Sequence, residues 1–372
     1  MSHGHYGSID GFRGFALLLV LMFHQDIIYF GWIGMILFFV LSGYLITKVL
    51  MTEKEKGIPM KSRFRNFWMR RLLRTFPAYY LYLLILIIGF AVNLIPADVR
   101  KELPFLLTYT YNFHLISVYD HSQPSFLAGH FWSLSVEEQF YLFYPFLVFF
   151  SRARVLKITI VILICFSILF RIYYIIYSPN GSCFSGYSDY HPFNYLDSFL
   201  CGGAIFIFKL DKIKPTAGYL SFALSLGITI ASGLWIYLKM NQRQSFNVKN
   251  YLTNFGLVAH YCEHWYRVWS QINLNLLFSS MILLLILPVK NLFHIWLKRI
   301  FEFQPLVYLG KISYGTYIFH AIIIWLMIHV FKQTPTNKYI FFLECFTLAL
   351  LFATAIYYLY EKKFLAMKDK FR

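Results

Sequence analysis

Apolar residues along the chain fall into ten runs separated by polar or basic stretches: 12–30, 34–50, 77–95, 133–150, 155–177, 194–208, 217–238, 271–289, 306–331 and 339–359. Most approach twenty residues, the length of a helix across the roughly 30 Å hydrocarbon core of a bilayer. A chain in lipid must satisfy its own backbone hydrogen bonds, so such runs predict α-helices. The expected fold is all-α: a polytopic membrane protein of about ten transmembrane helices, with 1–372 as a single transmembrane domain. No repeat, low-complexity tract or soluble module interrupts the series. No basic leader with a small-residue cleavage site precedes the first run, so no cleavable signal peptide is expected.

Composition strengthens this reading. Of 372 residues, 59% are hydrophobic, 21% aromatic and 14% charged. A soluble domain is about 25% charged. The net charge of +17 would suggest nucleic acid in a soluble protein, but here the excess sits in alternate loops. The stretch after the second run carries Lys54, Lys56, Lys61, Arg63, Arg65, Arg70, Arg71 and Arg74, whereas 96–130 carries only Arg100 and Lys101. The positive-inside rule then puts both termini in the cytoplasm. The expected partner is the lipid bilayer, and no nucleic acid.

Five cysteines show no C-x-x-C spacing. Cys183 and Cys262 fall in loops expected outside the membrane, where a disulfide between them can form. His260, Glu263 and His264 spell H-x-x-E-H, an inverted zincin pattern. It has no evident third ligand, and no metal is expected. His3 and His5 read as a solvated tail.

Polar residues inside apolar runs carry the candidate chemistry, because they are costly in a membrane. Arg13 and His24 are eleven positions apart, on one helix face and about 16 Å apart in rise. An interfacial anchor and a packed histidine would explain them too. Arg71 and Arg74, three apart beside Pro77 at an expected membrane entry, form a pair suited to phosphate. Glu137 and Glu138 begin an apolar helix, where Ser133 or Ser135 is positioned to cap it and carboxylates favour the positive end of the dipole. Alternatively, one glutamate orients a catalytic histidine. KISYGTYIFH, residues 311–320, sets Ser313, Tyr314 and His320 in or near a membrane helix.

Together these segments resemble the acyltransferase-3 family of integral membrane O-acyltransferases. IDGFRG leads into its Arg-x10-His, here Arg13 and His24. FFVLSGYLI, with Ser42 and Gly43, resembles the end of its second helix. RRLLRTFPAYY supplies Arg-x-x-Arg and a proline, and FWSLSVEEQFYLFYP is similar to its Trp-Ser-Leu-x-x-Glu signature, with Trp132, Ser133 and Glu137. YLDSFLCGGAI is a weaker match. LGKISYGTYIFH resembles the penultimate helix and YLYEKKF, with Glu361, the closing segment. The resemblance covers nearly the whole chain. Many family members carry an extra hydrolase-like domain, and the expectation here is a membrane domain that stands alone.

The resemblance implies a bacterial cytoplasmic-membrane enzyme moving an acyl group, most often acetyl, from acetyl-CoA to a sugar hydroxyl. The acceptor would be a cell-surface glycan or lipid-linked oligosaccharide such as O-antigen. Arg71 and Arg74 would hold CoA. His24 would act as general base or carry the acyl group, and an unperturbed pKa of about 6.5 suits it to either task. Arg13 would stabilise the oxyanion or grip CoA, and Glu137 would orient the histidine. Ser42, Trp132, Ser133, Glu138, Tyr314 and His320 are further candidates. A transporter or flippase for a glycan would also place Arg, His and Glu among many helices.

Overall fold

In the computed structural model, the structure describes residues 7–28, 30–118, 124–177, 189–242, 264–288, 291–333 and 336–371. Nearly all are helical, and no strand occurs among them. The principal helices are α1 (Gly7–His24), α2 (Ile33–Glu55), α3 (Met60–Ala91), α4 (Leu103–Leu107), α5 (Tyr111–Val118), α6 (Phe131–Phe150) and α7 (Ala153–Tyr177). They continue as α8 (Leu196–Ile207), α9 (Pro215–Gln242), α10 (His264–Ile286), α11 (Leu292–Phe301), α12 (Gln304–Lys311), α13 (Ser313–His329), α14 (Lys338–Ile356) and α15 (Lys362–Met367).

Seven of these helical stretches are long and apolar enough to cross a membrane, or eight if α12 and α13, bent by 76° at their junction, form one span. Of the ten expected runs, two do not meet that standard. The helix α6 carries two glutamates, and α8 has 12 residues, about 18 Å of rise. A second difference concerns α3. Pro77 was expected to open the third span, but it lies inside a helix of 32 residues that starts at Met60. Most of the basic stretch is therefore helix, since Arg and Lys are good helix formers. The chain divides into two compact units, within α2 at Lys48 and Val49.

The first unit holds α1, the first part of α2, and α7 to α12. Here α1 runs along α12 and α11, with Phe12 edge-on to Phe301 at 5.1 Å and to Phe278 at 6.4 Å. Ser8 Oγ approaches Leu285 O at 3.5 Å, so α1 and α10 run antiparallel. The helices α2 and α8 meet backbone to backbone: a Cβ at Gly43 would lie 1.8 Å from Phe199 O, and one at Gly202 1.9 Å from Val40 O. Small residues permit such close approach in membrane bundles.

The second unit holds the end of α2, α3 to α6, and α13 onward. Its core is aromatic. Tyr79 stacks on Tyr109 at 4.2 Å and donates to Leu106 O at 2.7 Å, and Tyr82 donates to Leu127 O at 2.7 Å. Such bonds let buried tyrosines satisfy their hydroxyls. Lys54 Nζ donates to Val148 O at 2.6 Å and Ser151 O at 2.5 Å, satisfying carbonyls that the end of α6 leaves open. Glu53 accepts from Lys56 at 2.7 Å and Arg70 at 2.8 Å, and Arg70 also donates to Phe371 O at 2.6 Å. After α14 the chain makes one wide π-helical turn, Tyr357–Glu361, before α15.

Candidate active site

The second unit gathers five of the predicted residues. Trp68 Nε1 donates to Tyr141 O at 3.3 Å, which fixes the level of α3 against α6. The Arg71 guanidinium lies over the Tyr141 ring, 5.0 Å from its centroid. It interacts electrostatically with Glu137, Glu138 and Arg74. The Tyr141 hydroxyl donates to Glu137, and the Thr75 hydroxyl faces Glu138. Tyr314 donates to Thr75 O at 2.8 Å. Arg74 interacts with Glu361, which the wide turn brings beside Gly315. Glu361 is buried, and its Oε1 has no hydrogen-bond partner among the described residues.

One expectation changes here. Neither serine caps a helix that starts at the glutamates, because α6 starts at Phe131. Ser133 and Ser135 instead donate back to His130 O and Phe131 O at 3.1 Å. Glu137 and Glu138 therefore lie two turns inside, beyond the reach of the dipole's end effect. Arg71 is level with Glu138, twelve residues from the Phe150 end of α6, or about 18 Å.

A second cluster adjoins the first through α6 and α13. Ser133 Oγ and Tyr317 Oη lie 2.7 Å apart, and Tyr317 donates to His130 O at 2.7 Å. The His130 and His320 rings meet edge to face at 4.8 Å, and both are buried. His320 Nδ1 is 2.5 Å from Tyr317 O. Trp132 points elsewhere, against Tyr190 at 5.4 Å. Sequence reasoning missed His130, Tyr317, Tyr141 and Thr75. A signal for two of them was present: His130 sits beside the Trp-Ser-Leu motif, and Tyr317 is one turn from His320.

Arg13, His24 and Ser42 belong to the first unit. Arg13 Nη1 pairs with Asp10 Oδ1 at 3.1 Å, with both side chains largely buried. His24 is the last residue of α1, and Ser42 is buried on α2 beside the Gly43 contact. The same unit contains an ion pair that no motif announced, Arg171 with Asp197 at 2.9 Å. Among the described residues, no group of three His, Cys, Asp or Glu could hold a metal. The side chains of His260, Glu263 and His264, and both Cys183 and Cys262, lie outside the described residues, as do His3 and His5.

Long apolar helices with buried guanidinium, carboxylate and imidazole groups define an integral membrane protein with polar chemistry inside it. The family described as an acyltransferase domain, acyltransferase-3, matches residues 6–360, and the chain belongs to it. It is 29% identical over 351 residues to the peptidoglycan O-acetyltransferase OatA of Listeria monocytogenes, an alignment covering 90% of this chain and 52% of that protein. It is 33% identical over 194 residues to the putative peptidoglycan O-acetyltransferase YrhL of Bacillus subtilis, covering 48% of this chain and 30% of that one. A putative O-acetyltransferase of Staphylococcus aureus is 27% identical over 376 residues, covering 96% and 56%. The chain thus spans about half the length of the curated relatives it matches end to end. No solved structure matches it.

Proposed function

We propose that this protein is a membrane O-acetyltransferase that takes an acetyl group from acetyl-CoA on the cytoplasmic side and esterifies a hydroxyl of a cell-surface glycan. Relatives named as peptidoglycan O-acetyltransferases make a wall glycan the favoured acceptor over O-antigen. In this reading both termini are cytoplasmic, and the ten helical segments, short and bent ones included, pass through the bacterial cytoplasmic membrane. The observation that carries it is the Arg71 and Arg74 cluster with Glu137, Glu138 and Glu361, set deep in the second unit.

Two guanidiniums against three carboxylates are a poor sole clamp for phosphate. Their depth suits the acyl-bearing end of the donor better. The exposed Lys61 and Arg65 in the first turns of α3 then meet the CoA phosphates, and the extended arm of CoA separates the two. Chemically, His24 takes the proton of the acceptor hydroxyl, and the oxygen attacks the thioester carbonyl. The C–S bond breaks, and the proton passes to the departing CoA thiolate. In the two-step variant, His24 first takes the acetyl group and hands it on. Arg13, held by Asp10, is the available cation for the oxyanion. Glu137, Tyr141 and Glu138 hold Arg71 in place. Ser42, Ser133, Trp132, Tyr314 and His320 are supporting residues in this scheme.

The test uses membranes containing the full chain, acetyl-CoA labelled in the acetyl group, and His24→Ala and Arg74→Ala variants. Label should enter the glycan fraction with release of free CoA, and should fall at least a hundredfold in His24→Ala, the scale of a lost general base. Transfer by His24→Ala at the parental rate would refute the assignment. Uptake of a glycan without CoA release would favour a transporter.

A further inference from the structure

Within the first unit, α7, α8 and α10 enclose a polar seam that the scheme above does not use. Arg171, Asp197 and Asn275 are 4%, 1% and 1% exposed. Arg171 Nη2 donates to both Asp197 oxygens, at 3.0 and 2.9 Å, and to Asn194 O at 2.7 Å. Its Nε donates to Asn194 Oδ1 at 3.0 Å. Ser167 Oγ donates to Asp197 Oδ1 at 3.2 Å, and Gln271 Nε2 to Asn194 O at 2.8 Å. Charge therefore cancels inside the seam.

Hydrogen bonding does not cancel. Arg171 Nη1, Ser198 Oγ, Ser279 Oγ and both amide atoms of Asn275 have no partner among the described residues. Gln271, Asn275 and Ser279 follow at i, i+4 and i+8 on α10, so they share one face. Buried polar atoms without partners are rare and costly. A row of them beside a neutralised ion pair indicates a ligand that supplies the missing donors and acceptors.

Ser8 meets Leu285. Counted from that level, His24 lies about 24 Å along α1, and Gln271, Asn275 and Ser279 lie about 21, 15 and 9 Å back along α10. The polar row therefore begins within a turn of the level of His24 and leads away from it.

We propose that this seam binds the acceptor through an uncharged sugar unit bearing hydroxyl and N-acetyl groups. The neutral ion pair offers nothing to a charged ligand. The Asn275 amide presents one donor edge and one acceptor edge, the complement of an N-acetyl group, and the hydroxyls of Ser198 and Ser279 complement those of the sugar. The proposal rests on acetyl transfer to a glycan, and its test separates the two.

The experiment uses the purified full chain in nanodiscs with chitotetraose as probe. Two readouts are taken: the shift of the unfolding midpoint on adding chitotetraose without donor, and KM for chitotetraose and for acetyl-CoA. The main variant is Asn275→Leu, which removes unpaired polar atoms and leaves stability unchanged or higher. Ser198→Ala is the second variant. We expect a midpoint shift in the parent that shrinks in both variants. KM for chitotetraose should rise about tenfold in Asn275→Leu, the scale of a lost amide hydrogen bond, with KM for acetyl-CoA unchanged. No shift in the parent overturns the proposal. So does an unchanged shift in both variants, which would mean the seam holds only water, or a rise in KM for acetyl-CoA alone, which would assign the seam to the donor. If the parent shifts with chitotetraose but transfers no acetyl group, the enzymatic reading fails and the midpoint data alone decide the seam.

Discussion

Replacing Gly202 by alanine is expected to force α8 away from α2. The new Cβ would stand 1.9 Å from Val40 O, where ordinary contact begins at 3.4 Å, so the helices must separate by about 1.5 Å. Backbone stands on both sides of the contact, so no rotamer change relieves it. Alanine gains about 1 kcal/mol of helix propensity over glycine, and overpacking of this kind costs up to about 3 kcal/mol. The net loss is roughly 2 kcal/mol, or about 3 °C in the unfolding midpoint of a chain of this length. Gly43→Ala meets Phe199 O at 1.8 Å and should lose a similar amount. The sharper expectation concerns the pair. Once one alanine has spread the helices, the second finds the space already open, so the double variant should fall little below either single one. Thermal midpoints of the four proteins in detergent measure this directly. Full additivity, or a neutral Gly202→Ala, would refute a backbone-to-backbone contact.

Two further outcomes follow from groups outside that contact. Asp197→Leu leaves the Arg171 guanidinium buried without its counter-charge and should cost about 3–5 kcal/mol. Arg171→Met combined with Asp197→Leu should recover most of that, and a double variant no more stable than Asp197→Leu would show that the pair is not the source of the loss. His191, in a connecting segment, has its pKa lowered from 6.5 by burial. Below about 6.5 the unfolded chain binds more protons at this site than the folded one, so stability falls as pH drops from 7 toward 5. His191→Gln should flatten that slope in midpoint measurements across the range, and an unchanged slope would remove His191 as its cause.

Much of the fold was legible in the apolar runs, because lipid enforces helices wherever such runs occur. The start of α3 was not, since a helix rich in Arg and Lys has the composition of a cytoplasmic loop. The break between Lys311 and Ser313 was hidden as well, because GKIS carries no proline to mark it. Local pairs such as Ser133 with its motif were within reach of sequence reasoning. The pairing of Arg171 with Asp197, 26 positions apart, was not, because only packing of α7 against α8 brings them together. The depth of Arg71 likewise follows from where α3 meets α6, which no single segment encodes.

The wide turn at Tyr357–Glu361 constrains how this stretch can change over time. A π turn is an α-helical turn that has taken in one residue. Its five residues sweep about the same angle as four residues of ordinary helix, roughly 400°. Removing one residue from Tyr357–Tyr360 would therefore restore an ordinary helix and leave Glu361 and Phe371 facing nearly as they do now, toward Gly315 and Arg70. A deletion within the preceding α14 has no such slack and would rotate everything downstream by about 100°. Changes of length should thus be retained at this turn and purged one or two turns earlier.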